Sequence, residues 1–216
     1  MSPRTKEQNE QIRKQRSQEI LRAAVAVYAE KGYAAAEIGE IAEKAGLARG
    51  LVYHYFKSKQ TLFRELYDSM MDETRKFTES YFEQEGPPLD LFAGYATIVC
   101  KQVLEDPARS RFFSRISLDV HYLYTSEEFS PFEWMKSLIQ PMRKAVENGI
   151  RQGTIRQGDA NLLALQFWGA VSQGTNYMDQ LQQELNSGGT ADSAVKERLK
   201  LVLEQTVASA LAVLRG

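Results

Sequence analysis

Apolar residues recur at intervals of three and four along most of this chain, the spacing that places them on one face of an α-helix. Near the N-terminus Ile20, Ala24 and Val27 share such a face. The pattern ends at Gly32, a residue suited to a helix C-terminus because glycine accepts a left-handed backbone. Few segments combine β-branched residues with strict alternation, so the sequence predicts an all-α protein.

Glycine, proline and short polar turns divide this pattern into separate helices. Gly46 follows a short helix, and Gly86-Pro87-Pro88 is the first strong break after a long one. Ser58 is expected to cap the helix that begins there. We predict about nine helices, near residues 9–31, 37–44, 48–56, 58–82, 89–105, 108–124, 132–151, 161–185 and 191–214.

The second and third helices form the pattern of a helix-turn-helix, because both are short, a glycine turn joins them and basic residues follow. A helix with its side chains is about as wide as the major groove of B-DNA. In this geometry the first helix supports the second, whose outer side chains meet the base edges. The spacing places Val52 and Phe56 inward, and Arg49, Leu51 and His54 outward.

The charge of the chain is unevenly distributed. Residues 1–64 hold 12 Lys and Arg against 7 Asp and Glu, whereas the remainder holds 15 against 21. A basic N-terminal quarter on an acidic body favours contact with a polyanion, although chance clustering on a solvated helix is an equal alternative from charge alone. Five cations form a basic arm ahead of the motif, namely Arg4, Lys6, Arg13, Lys14 and Arg16.

Residues 17–66 resemble the signature of the tetracycline-repressor (TetR) family closely. The residues that carry the resemblance are Ile20-Leu21, Ala23-Ala24, Gly32-Tyr33, Ile41-Ala42, Ala45-Gly46, Gly50, Tyr53, Phe56 and Lys59. The resemblance implies a cytoplasmic, dimeric regulator, with an N-terminal arm and DNA-binding domain at 1–57 and a ligand-binding and dimerisation domain at 58–216. It implies a repressor that a small, moderately hydrophobic effector releases from its operator, with activation as the open alternative.

Two positions depart from the family pattern. Glu37 and Ala48 stand where Ser or Thr commonly caps the two helices of the motif, and alanine cannot accept the capping hydrogen bond. Glu37 would also repel a nearby phosphate. These departures put single phosphate contacts in question but not the fold.

From this geometry and resemblance we expect a DNA-contacting set in and around the third helix. Arg49 is the candidate reader of guanine, because arginine pairs with its major-groove edge through two hydrogen bonds. Leu51 is expected against a thymine methyl, and Tyr53, His54 and Lys59 against phosphates. The full set is Glu37, Ala48, Arg49, Gly50, Leu51, Tyr53, His54, Lys57 and Lys59.

The last two helices are strongly apolar at near-heptad spacing, which predicts either a four-helix bundle between two chains or an intramolecular core. The candidate dimer residues are Leu165, Trp168, Val171, Thr175, Val202, Thr206 and Ala210. The resemblance also implies an effector cavity in the C-terminal domain. The alternative is that its candidate lining residues only pack in the core. Its candidate lining is Tyr95, Phe112, Phe113, Tyr122, Trp134, Met142, Phe167 and Tyr177.

The remaining chemistry favours a regulator over an enzyme. The lone Cys100 fits a reducing compartment, the polar N-terminus is unlike a secretory signal, and no apolar run approaches a bilayer span. The chain has two histidines, no glycine-rich phosphate loop and no clustered metal ligands, so we expect no catalysis, cofactor or metal. The second hypothesis is a module that binds a ligand with the same helical body but has no DNA function. The basic N-terminal segment argues against it.

Overall fold

The computed structural model describes residues 5–188 and 192–215, and within those ranges the chain folds into nine α-helices without a strand. The all-α prediction is confirmed, and every predicted helix is present with ends shifted by a few residues. The helices are α1 (Lys6–Ala35), α2 (Ile38–Lys44), α3 (Arg49–Tyr55), α4 (Lys59–Phe82), α5 (Pro88–Glu105), α6 (Pro107–Leu123), α7 (Pro131–Arg151), α8 (Ala160–Ser187) and α9 (Asp192–Ala212).

Helix α1 begins earlier than predicted. It begins at Lys6 because Thr5 and Gln8 form a capping box, in which each side chain accepts a hydrogen bond from the backbone N–H of the other residue. The helical backbone breaks at Gly32, as the sequence predicts, because this glycine adopts φ 75° and ψ 178°. A short stretch of helical backbone, which α1 includes, then continues to Ala35.

The chain packs into two compact units. The N-terminal unit comprises the chain up to Met71 together with Phe112–Phe129, and the C-terminal unit comprises Asp72–Arg111 with the chain from Ser130 onward. Because this division by packing falls within α4, it does not test the functional boundary expected between residues 57 and 58, which stays a prediction.

The core of the N-terminal unit holds α2 and α3 against α1. Ile20, Tyr28, Ile41 and Val52 are all completely buried. Ion pairs from Lys31 to Glu40 and from Lys44 to Glu30 join α1 to α2 at the surface. Surface ion pairs contribute little, so the apolar core supplies most of the stability of the unit.

The C-terminal unit is built around the close approach of α8 and α9. A Cβ atom on Gly174 would lie 2.1 Å from Thr206 Cγ2 and 2.6 Å from Thr206 Oγ1. Thr206 is itself fixed, because its hydroxyl donates to the Val202 carbonyl at 2.8 Å. Glycine at 174 therefore sets the distance between the two helices.

Gly174→Ala is expected to lower the free energy of unfolding by about 1–3 kcal/mol, because the added methyl group overpacks this contact. Gly169→Ala is the matched control on the same helix, since a Cβ there meets nothing within 4 Å among the residues that the structure describes. Urea unfolding of both variants measures the difference. Equal stability of the two variants would contradict the close approach of α8 and α9.

In the ranges that the structure describes, no helix is both long and apolar enough to cross a membrane.

Candidate DNA interface and effector core

Helix α3 has one buried and one exposed face. Val52 is fully buried and Phe56, just after the helix, is 1% exposed, as the spacing predicted. On the other side Arg49, Leu51, Tyr53 and His54 are exposed. The helix therefore presents four side chains capable of contacting DNA on a surface held rigidly by the core.

Arg49 and Tyr53 lie one turn apart on this exposed face and interact. The guanidinium carbon of Arg49 is 5.8 Å from the centroid of the Tyr53 ring, a cation–π distance. Hydrogen bonding to the Tyr53 side chain raises the pKa of Arg49 further above its already high value. The contact with Tyr53 thus restricts the position of the Arg49 guanidinium, which we expect to bind a base edge.

The turn before α3 depends on a glycine. Gly46 adopts φ 65°, and its N–H donates to the Glu43 carbonyl at 3.0 Å, while the Leu47 N–H donates to Ala42 at 2.9 Å. Glu37 and Ala48 occupy the N-cap positions of α2 and α3 and neither side chain makes a capping hydrogen bond. The first turns of α2 and α3 therefore form without a side-chain cap from residues 37 and 48.

The cationic side chain of Lys59 is engaged within the chain. Its ammonium donates to the Ala34 carbonyl at 3.0 Å and lies 4.6 Å from the centroid of the Tyr33 ring. Burial lowers the pKa of this ammonium. Lys59 stands at the start of α4, where Ser58 caps the helix by accepting from the Thr61 N–H at 3.0 Å. Its contact with phosphate stays a prediction. The DNA contacts predicted for Lys57 and Gly50, which are exposed, also stay predictions.

Asp119 on α6 is a positioning residue of the N-terminal unit that sequence reasoning missed. Its Oδ2 accepts hydrogen bonds from the Tyr28 hydroxyl at 2.8 Å and from the Tyr33 N–H at 3.1 Å. These partners flank the bend at Gly32, and Tyr122 stacks on Tyr33 with ring centroids 5.2 Å apart. A carboxylate on α6 thus fixes the end of α1, from which the helix-turn-helix departs.

The predicted effector residues do not form one group. Tyr95, Met142 and Phe167 are buried together in the core of the C-terminal unit. Phe112 packs on Tyr28 and Phe113 in the N-terminal unit. Tyr122 and Tyr177 are about half exposed, and Trp134 is partly buried. The role of each in binding stays a prediction.

Aromatic rings surround Tyr95 on several sides. Tyr81, Phe82 and Trp168 have ring centroids 5.5, 5.0 and 6.5 Å from that of Tyr95. Sequence reasoning did not select Tyr81 or Phe82, and it assigned Trp168 to the dimer interface instead. The buried Thr78 hydroxyl donates to the Thr74 carbonyl at 2.8 Å, so the Tyr95 hydroxyl, 2.9 Å away, donates to Thr78. Burial raises the pKa of Tyr95 to about 12. This cluster is apolar with one hydroxyl pair at its centre.

A separate hollow of about 420 Å³ opens on the surface of α7, and no predicted effector residue lines it. Its lining is polar and consists of Glu133, Lys136, Ser137, Gln140, Arg143 and Asn161.

The predicted dimer residues separate into two groups. Val171, Val202, Thr206 and Ala210 are buried within the chain, which is the intramolecular alternative that the sequence left open. Leu165 is 38% exposed, and Trp168 and Thr175 are partly exposed. Whether any of the seven borders a second chain stays a prediction.

Other apolar side chains on α8 and α9 point away from the core. Leu162 is 53% exposed one turn before Leu165, and Leu201 is 44% exposed. Ala208 and Ala212 continue the face of Leu201 at intervals of seven and four and are exposed. Sequence reasoning missed these residues because it selected the other, longer apolar stripe of α9.

Cys100 is fully buried, and burial raises the pKa of its thiol from 9.0 to about 11. Because the thiolate is the reactive species, its fraction at neutral pH is about 100-fold below that of an ordinary cysteine with the unshifted pKa. We expect native Cys100 to react with a disulfide reagent at least 100-fold more slowly than in urea. A reaction as fast in the native protein would contradict burial.

The same shift predicts a stability change at alkaline pH. A thiol whose pKa is raised by folding stabilises the protein below pH 9, and this contribution is lost as the pH rises towards 11. Comparing the pH dependence of unfolding with that of Cys100→Ala isolates it.

Comparison with known proteins gives consistent relatives. Residues 20–66 match the family model of bacterial regulatory proteins, tetR family. The HTH-type transcriptional repressor KstR2 of Rhodococcus jostii (strain RHA1) is 25% identical over 197 residues, covering 88% of this chain and 90% of that protein. The fatty acid metabolism regulator protein of Bacillus subtilis (strain 168) is 24% identical over 158 residues, covering 72% and 79%.

A solved structure shares the fold. It is the transcriptional regulator FadR from Bacillus subtilis in complex with stearoyl-CoA, which superposes with a TM-score of 0.62 at 21% identity and covers 89% of this chain and 98% of that chain.

Proposed function

We propose that this chain, whose residues 20–66 match the family model of bacterial regulatory proteins, tetR family, is a dimeric repressor of that kind, released from DNA by a moderately hydrophobic effector. The observation that carries the proposal is that α3 has one buried and one exposed face. Its inner face is anchored by Val52 while Arg49, Leu51 and His54 are exposed on the outer face. That arrangement suits insertion of α3 into the major groove.

Two copies are needed for this mode of binding, because a helix-turn-helix dimer reads two half-sites about 34–36 Å apart or at a multiple of that distance. We propose that the exposed faces of α8 and α9 meet their counterparts in a second chain. Leu162, Leu165 and Leu201 supply apolar area, and Ala208 and Ala212 permit close approach of the helices.

Leu201→Glu is expected to weaken the dimer at least tenfold, since it would place a charge in an apolar contact of the two chains. Leu118→Glu is the matched control, because Leu118 is 73% exposed on α6. Light scattering across a dilution series measures both. Equal dimer dissociation constants for Leu201→Glu and the control would contradict this interface.

The apolar cluster around Tyr95 supports an effector of moderate hydrophobicity. Two of the comparisons, both with Bacillus subtilis regulators, concern fatty acids: one by the description of a fatty acid metabolism regulator and the other by a structure in complex with stearoyl-CoA. We therefore propose a long-chain acyl thioester as the first effector to try. The hydroxyl pair of Thr78 and Tyr95 offers one polar contact within the cluster.

The test measures two affinities, each with and without the other ligand. Fluorescence anisotropy gives the affinity for a duplex from the region upstream of the chain's own gene, and titration gives the affinity for stearoyl-CoA. Linkage requires each ligand to weaken the other by the same factor. Independent binding would overturn release by this effector, and failure to bind any duplex at low ionic strength would overturn the regulator itself.

A further inference from the structure

Helix α1 extends well beyond the core of the N-terminal unit. Its first buried residue is Ile20, and no side chain from Lys6 to Glu19 is buried. At a rise of 1.5 Å per residue these 14 residues project about 21 Å. We call residues 6–19 the overhang.

The overhang is a continuous helix. The Thr5–Gln8 capping box fixes its first turn, and Glu19 accepts from Arg16 at 2.7 Å and from Gln15 at 3.1 Å in its last turn. A helix of this length alone would be marginal in water, but here it grows from the buried half of α1. Its side chains therefore keep a defined direction relative to that core.

The line of the overhang that continues the buried face is cationic. Lys6 and Arg13 precede Ile20 and Val27 at intervals of seven, which is two turns, so all four lie along one line. Lys6 and Arg13 are exposed and make no hydrogen bond or ion pair with any residue that the structure describes. Glu10 lies on the adjacent line, with Ala24, and Arg16 is paired with Glu19.

We infer that the overhang is a second DNA-contacting surface, which binds the phosphate backbone flanking the site read by α3. This inference rests on the proposed function. Charge complementarity favours the phosphate backbone as the partner, because the line of Lys6 and Arg13 carries two unpaired cations and no acid. Continuity supports it, since these cations extend the face by which α1 holds the helix-turn-helix. A reach of about 21 Å corresponds to about six base pairs at 3.4 Å each.

The experiment uses two duplexes with the same central site, selected by the full-length protein from a random pool. One ends at the outermost base pair whose identity affects binding, and the other carries six further base pairs of random sequence on each side. Affinity is measured by anisotropy across a salt series. The variants are Lys6→Gln/Arg13→Gln and the control Lys14→Gln, which removes a cation about 100° around the helix.

We expect the flanks to raise wild-type affinity about tenfold and to steepen the salt dependence, with the double variant losing both effects. In a dimer the double variant removes four cations, so its salt slope should fall by about two to four. Lys14→Gln should retain most of the gain. Unchanged thermal unfolding checks that the overhang stabilises nothing else.

Three results would overturn the inference. If the wild-type protein binds the two duplexes with equal affinity, the overhang does not contact flanking DNA, and the proposed function stands. If Lys14→Gln loses as much as the double variant, the cationic line is not the contact. If the selection from the random pool enriches no site at low salt, the proposed function fails and the overhang inference fails with it.

Discussion

Asp119→Ala is expected to lower the free energy of unfolding by about 3 kcal/mol. The substitution removes the acceptor for two hydrogen bonds and leaves the Tyr28 hydroxyl, in a side chain with no exposure, without a partner. A buried donor without an acceptor costs about 1–3 kcal/mol, and hydrogen bonds to a charged group are at the upper end of the usual range. Urea unfolding gives the value directly.

The conservative variant separates the hydrogen bonds from the volume of the side chain. Asp119→Asn keeps an oxygen that accepts from Tyr28 or Tyr33, so it should recover more than half of the loss. Tyr28→Phe removes one donor and should cost less in the Asp119→Ala background than in the wild type. Additive losses in this double-mutant cycle would contradict a direct contact between the two side chains.

Asp119 also has a consequence for DNA binding. Because it binds the Tyr28 hydroxyl before the Gly32 bend and the Tyr33 backbone N–H after it, its loss loosens the link between α1 and the helix-turn-helix. At a temperature where the variant is still folded, its affinity for the operator should therefore fall. Unchanged affinity would show that α2 and α3 are positioned by the apolar core alone.

The sequence was sufficient to predict the local features of the fold. The helices followed from apolar spacing, and the burial of Val52 and Phe56 followed from the period of α3. Ser58 was identified as a cap because a hydroxyl before a helix finds an acceptor role among the N–H groups of the first turn, here that of Thr61. Each of these features depends on residues within one or two turns of each other.

Long-range polar contacts and the choice between apolar stripes could not be predicted in this way. Asp119 is 91 residues from Tyr28 and 86 from Tyr33, and a lone carboxylate on a helix has no periodic signal that names such partners. On α9 the stripe through Val202 and Thr206 would suit a dimer or a core equally. Within the single chain, Val202 and Thr206 are buried and Thr206 packs on Gly174.

Arg49→Ala should reduce operator affinity by about 1–3 kcal/mol for each half-site and relax the preference at one base pair. The physical reason is that Arg49 begins α3, is exposed and is steadied by the Tyr53 ring 5.8 Å away. Arg49→Lys keeps the charge but loses the two-pronged geometry, so it should retain phosphate attraction and lose base preference.

Lys59→Ala provides the contrast that makes this test decisive. A phosphate contact carries no sequence information, so its loss should weaken all sequences evenly and reduce the salt slope by about one for each contact. Since the Lys59 ammonium is already bound to the Ala34 carbonyl, a smaller slope change would mean that it keeps this partner on DNA. If Arg49→Ala leaves the base preference intact, the assignment of Arg49 to the groove is wrong, and Leu51 and His54 become the residues to test.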